Sequence, residues 1–130
     1  MADLGEYLRD CGTKRRASGI YDCVTIAADW AVAQGRPDPM ARWRGQYQSE
    51  AEAGALITAA GGLVALFAIG MADAGIPEAH VPQPGDVAVV LLNGEQQGAV
   101  FSGKRWMLAT DRGVIGASLD ADQVVRIWRP

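Results

Sequence analysis

Cys23 and His80 are the two residues of this chain from which nucleophilic catalysis could be assembled. There are two cysteines and a single histidine among the 130 residues. Cys23 stands in the run Gly19-Ile20-Tyr21-Asp22-Cys23-Val24-Thr25-Ile26-Ala27-Ala28-Asp29-Trp30. Aspartate caps helices well, because its carboxylate accepts from the free N–H groups of the first turn. A helix starting at Asp22 puts the thiol in that turn, where the macrodipole and unpaired N–H groups stabilise a thiolate. Such a thiol is a candidate nucleophile, but it needs a base to take its proton. His80, in Ile76-Pro77-Glu78-Ala79-His80-Val81-Pro82, is the only imidazole available, and its setting also fits a loop histidine with no catalytic role. Asp86 and Asp111 sit in turn-like sequence. Two cysteines alone make neither a disulfide framework nor a metal site, so no metal or cofactor is expected. A Cys11–Cys23 bridge is the one pairing open to them.

The elements that must position these residues can be read from periodicity and turn chemistry. A short helix is predicted over residues 3–10, with Leu4, Tyr7 and Leu8 on one face, followed by a basic loop from Thr13 to Gly19. The cysteine helix is expected from about Tyr21 to Ala33, ending near Gly35 with Pro37 beyond it. On it Cys23, Ile26, Ala27 and Trp30 share one stripe, which places the thiol at the edge of a core. Asp38-Pro39 suggests a short helix carrying Met40, Trp43 and Tyr47. Ser49 is positioned to cap a helix running to Ala60, and another is expected from Leu63 to Ala74. After Pro82 the character changes to strands: Val87–Leu92, Gly98–Phe101, Arg105–Thr110, Val114–Ala117 and Gln123–Trp128, with a hairpin turn at Asn93-Gly94. Helices first and an antiparallel sheet after them define an α+β domain, one unit spanning 1–130.

Bulk properties narrow the function. Hydrophobic content of 49% and charged content of 21% are ordinary for a globular domain. A formal charge of −3 gives no electrostatic case for nucleic acid. Lys14-Arg15-Arg16 and Arg42-Trp43-Arg44 read as solvated loop or structural anchors. Arg44 is expected to pair with Asp29 or Asp38, since charges taken from water need partners. The uncharged stretch from Ala53 to Ala72 is nominally long enough to span a bilayer. Its Ala and Gly content and the central Gly61-Gly62 favour two short buried helices, so no membrane span is expected. The first residues lack a basic region followed by an apolar run, so no signal peptide is expected. The four tryptophans are expected in the core or at contacts rather than along a glycan groove.

The order of these motifs resembles papain-like cell-wall hydrolases of the NlpC type. In that family a cysteine opens a helix, a strand beginning Gly-Asp follows, and later strands carry a catalytic histidine and the polar residue that orients it. Asp22-Cys23 matches the nucleophile and Pro84-Gly85-Asp86-Val87 matches the strand opening. Gln97-Gly98-Ala99-Val100-Phe101-Ser102-Gly103 then lies over the histidine strand, and Lys104–Thr110 over the next. The resemblance implies Gln97 at the histidine position and Ala109 near the orienting position. Glutamine cannot take a proton from a thiol, and alanine cannot orient a base.

Closer still is the likeness to a phage- and prophage-associated family of unknown function with a degenerate dyad. It rests on Ala28-Asp29-Trp30, Asp38-Pro39, Arg44-Gly45-Gln46-Tyr47, Gly61-Gly62, Gly85-Asp86-Val87 and Trp128-Arg129. The resemblance implies a papain-like NlpC-type fold serving as a non-catalytic structural or interaction component of a phage-type tail tip. Its partners are expected among tail-tip proteins and its location in a virion tail or the bacterial cytoplasm. Two alternatives stand beside this: an active cysteine peptidase or amidase acting on peptidoglycan through Cys23, and a module that binds cell-wall fragments.

Overall fold

The computed structural model describes residues 3–19 and 22–130. Four helices precede the sheet: α1 (Leu4–Cys11), α2 (Thr25–Ala33), α3 (Glu50–Ala60) and α4 (Leu63–Asp73). Six strands follow: β1 (Glu78–Ala79), β2 (Val87–Leu92), β3 (Glu95–Phe101), β4 (Trp106–Thr110), β5 (Gly113–Ala117) and β6 (Val124–Trp128). They form one antiparallel sheet in the order β1-β6-β2-β3-β4-β5. The domain is therefore α+β with helices and strands segregated along the chain.

Local chemistry explains the boundaries. Asp3 and Ser49 cap α1 and α3 by accepting from Glu6 N–H and Glu52 N–H at 2.9 and 3.1 Å. Glu52 reaches back to the Gln48 N–H, closing the start of α3 from both sides. Asn93 and Gly94 both have positive φ, 53° and 78°, which is what a two-residue hairpin turn between β2 and β3 demands.

Among the described residues, the α-helices that touch the sheet lie on one face. α2 lies against β3, α4 against β2 and β6, and α1 against β5. On that face Val87, Val89, Val100, Ala109 and Trp128 join Ile26, Ala27, Trp30, Leu66 and Phe67 in the main core. The residues alternating with them, Ala88, Val90, Ala99, Trp106, Leu108 and Ile127, build a second, smaller cluster on the opposite face.

Three expectations change. The cysteine helix, expected from about Tyr21, begins at Thr25, since residues 22–24 form a bend and turn before it. Residues 39–45 form consecutive turns rather than a helix, with Trp43 N–H on the Met40 carbonyl and a left-handed Gly45 ending them. α3 contains no buried residue, so only α4 of the Gly61-Gly62 pair is a core helix. The two helices bend by 75° at those glycines, and no single helix among the described residues is long and apolar enough to cross a membrane. β1 and a single 3₁₀ turn at Ala121–Gln123 were not visible in the sequence pattern, being too short to carry a period. Tyr21, expected in the cysteine helix, lies outside the described residues.

Candidate functional site

Asp22 organises the start of α2. Its Oδ1 accepts from the Val24 and Thr25 N–H groups, both at 2.9 Å. The Thr25 hydroxyl oxygen in turn accepts from the Asp22 N–H at 2.7 Å, and Ile26 N–H reaches the Asp22 carbonyl. Asp22 thus closes the turn that leads into α2, whose N-cap is Val24, and Cys23 lies in that turn just before the helix. The second carboxylate oxygen accepts from Gly19 N–H at 2.8 Å and from the Tyr47 hydroxyl at 2.7 Å. Asp22 and Tyr47 are both buried, and every lobe of the carboxylate is committed to holding the loop, the helix and the 39–48 segment together. The role of Tyr47 was not read from the sequence; its place in Arg-Gly-x-Tyr was the only signal. Burial and the Asp22 charge push the Tyr47 hydroxyl far above its ordinary range, so it stays protonated as a donor.

Cys23 packs against β3 at Gly98. A Cβ built on Gly98 would lie 2.0 Å from the Cys23 carbonyl oxygen and 2.7 Å from the Phe67 ring, so only glycine lets the helix start approach the strand. Cys23 is partly buried and Cys11 fully buried; both thiols are free, so the two cysteines are not bridged. The helix start does not produce an activated thiol. Burial pushes the Cys23 thiol up, and the negative charge of Asp22 pushes the same way. The Gly98 N–H and the Arg16 charge act in the opposite direction but do not prevail. This corrects the expectation of a stabilised thiolate: desolvation outweighs the helix dipole here.

Above Cys23 lies a cleft of about 520 Å³. Its polar side carries Arg16, Ser18, Asp22 and Glu95, and its apolar side Trp43, Leu56 and Ile57. α3 forms the outer wall. Arg16 and Glu50, 3.5 Å apart, bridge the cleft mouth between the loop before α2 and the first turn of α3.

The residues singled out for catalysis are not gathered here. His80 is exposed and follows β1, three strands from β3, which is on the order of 14 Å across the sheet. Gln97 pairs with Val90, and strand alternation places it on the face opposite Gly98 and Cys23. Gln96 shares the Gly98 face instead. Ala109 is buried in the main core beside Val114. Asp86 is buried and accepts from Arg129 Nε and Nη2, each at 2.9 Å, and from Gln83 N–H. Asp111 lies in the exposed turn between β4 and β5. Among the described residues no group of His, Cys, Asp or Glu is arranged to hold a metal.

The other flagged residues have structural tasks. Arg44 spans both expected partners: Nε to Asp38 at 2.7 Å and Nη2 to Asp29 at 2.5 Å. Trp30 donates from Nε1 to the Gly85 carbonyl at 2.8 Å, tying α2 to the loop before β2. Trp128 is buried against Phe67, with ring centroids 5.7 Å apart.

Fold and site together define an α+β domain with a half-buried, unactivated cysteine at a helix start, set beneath an open cleft. The chain belongs to the family described as Domain of unknown function (DUF6950), whose model matches residues 1–130. No curated protein matches it, and no solved structure does.

Proposed function

We propose that this domain is a non-catalytic interaction component on a papain-like NlpC-type scaffold, built into a phage-type tail tip or tail assembly. One observation carries the non-catalytic part: the Cys23 helix start rests on Gly98, while the only imidazole in the chain stands three strands away. The carboxylate nearest in sequence, Asp22, is fully occupied by the turn into α2 and by Tyr47. A raised thiol pKa leaves Cys23 overwhelmingly protonated near neutral pH. The tail assignment rests on the motif order from Asp22-Cys23 to Trp128-Arg129.

The test is genetic and biochemical. In a phage or prophage encoding this chain, Cys23→Ser should leave particle titre and tail morphology unchanged, whereas loss of the whole chain should block tail assembly. A titre that collapses with Cys23→Ser, in a protein that still folds, would mean that the thiol does chemistry. Intact tails without the chain would remove the assembly role.

The cleft favours one second reading, a module that binds cell-wall fragments without cleaving them. Its volume and mixed lining can accept a short peptide. Titration with soluble muropeptides separates the two: saturable binding lost on Trp43→Ala supports the module.

A further inference from the structure

The face of the sheet away from the helices carries a trough that the cysteine site does not use. Two depressions, of about 380 and 320 Å³, share His80, Val124 and Ile127 and so run into one another. The floor of the first is the second hydrophobic cluster, with Phe101 and Trp106 at 4.8 Å between ring centroids and Leu119 closing one side. Its lining holds one ammonium, Lys104, and the imidazole of His80, and no carboxylate. The Lys104 ammonium has no carboxylate partner among the described residues. In the second depression Glu78 is paired with Arg126 and adds no free charge. The neighbouring Asp120 is outside the lining and caps the 3₁₀ turn. On a chain of net charge −3, an apolar trough whose one free charge is the Lys104 ammonium is a local inversion.

We infer that this trough docks an extended, acidic segment of a partner protein, with alternate apolar side chains seated over Phe101, Leu119 and Val124 and carboxylates meeting Lys104 and His80. Length favours an extended chain over a compact ligand, because the two depressions are joined end to end. Apolar anchors supply the burial, while the Lys104 ammonium selects for acid and, with a hydrogen bond at the His80 imidazole, fixes the register. The inference rests on reading the chain as an interaction component. It uses a face remote from Cys23, so the Cys23→Ser test and this one fail independently.

The probe is a fluorescein-labelled heptapeptide alternating Asp with Phe and Leu, compared with its Lys-for-Asp counterpart and with an Asp/Ser version lacking apolar residues. Fluorescence anisotropy should show saturable binding of the first alone, weakening as salt is raised. Lys104→Glu, a change at an exposed position, should weaken it about tenfold. Leu119→Ser should weaken it by a similar factor, and Cys23→Ser should leave it unchanged. Equal binding of acidic and basic peptides, no binding of the acidic one, or an unaltered affinity in Lys104→Glu would each overturn the proposal.

Discussion

The Cys23 carbonyl and the α-carbon of Gly98 are in direct contact, with no room between them for a methyl group. This contact joins the start of α2 to the middle of β3 and fixes where the thiol can be. It brings the Gly98 N–H toward the sulfur, yet the same closeness removes water from it, and desolvation decides the thiol's titration. The position therefore looks like a nucleophile's and titrates like a core cysteine's.

Gly98→Ala tests the contact. The new Cβ would meet a carbonyl at 2.0 Å and an aromatic ring at 2.7 Å, and the backbone atom cannot swing aside as a side chain could. Gly98 is not in the left-handed region, so the cost is steric rather than conformational. The substitution should destabilise by about 3 kcal/mol, the upper range for overpacking. Urea unfolding followed by tryptophan fluorescence reads this directly; a loss under about 0.5 kcal/mol, the size of an ordinary surface effect, would show that the helix start is not seated on β3 as described.

The thiol's own titration gives a second check. Burial raises its pKa, so iodoacetamide alkylation of Cys23 in a Cys11→Ser background should accelerate with pH through the alkaline range. No plateau should occur below pH about 8.5, the ordinary thiol value. A plateau below neutrality would show an activated thiolate and contradict the non-catalytic reading. The rate should also fall with reagent bulk, since α3 and the Arg16–Glu50 bridge narrow the cleft mouth.

Much of the frame was legible from residue types, because capping and turn chemistry act locally. Ser49 and Asn93-Gly94 each reported their element correctly, and Asp22 marked the approach to α2 although the helix itself starts at Thr25. The Arg44 ion pairs were also foreseeable, since Asp29 and Asp38 were the acids within reach. What a one-dimensional pattern could not supply was which face of a strand meets which helix. Shifting a strand by one residue exchanges its faces, so matching Gln97 to a histidine position said nothing of whether it points at Cys23. The backbone answered that through Gly98. Nor could spacing report the sign of the thiol shift, because a helix start lowers it and burial raises it, and only packing sets the balance. The 39–45 segment misled for a similar reason: Pro39 suits a helix start, but nothing in the sequence weighed the early chain reversal at Gly45.

Asp22 and Tyr47 should behave as one unit. Tyr47→Phe removes a hydrogen bond to a buried carboxylate, worth about 2 kcal/mol. Asp22→Asn keeps an oxygen for Val24 and Thr25 but turns an amide donor toward Gly19 N–H, so it should cost at least as much. The double variant should lose less than the sum of the two, by roughly 1 kcal/mol, as expected for partners in one network. Removing the Asp22 charge should also move the Cys23 alkylation profile to lower pH, because that charge opposes the thiolate. Strict additivity in a double-mutant cycle, or a profile shifted to higher pH, would contradict the geometry.

Arg44 offers the last test, since it closes a loop between α2 and the 39–48 segment through two carboxylates at once. Burial by itself would weaken its charge, but hydrogen bonds and the fields of Asp38 and Asp29 outweigh this and hold the guanidinium firmly cationic. Its Nε serves Asp38 while Nη2 serves Asp29, a division that the planar fork provides and a single ammonium does not. Arg44→Lys should therefore lose about 1–2 kcal/mol, despite conserving charge, and Arg44→Met somewhat more, because two half-buried carboxylates are then left facing each other. Asp29→Asn in the Arg44→Met background should recover part of that loss by relieving the repulsion. Thermal denaturation of the three variants at neutral pH gives the order. If Arg44→Lys melts with the wild type, the fork geometry is irrelevant and the arginine acts only as a point charge.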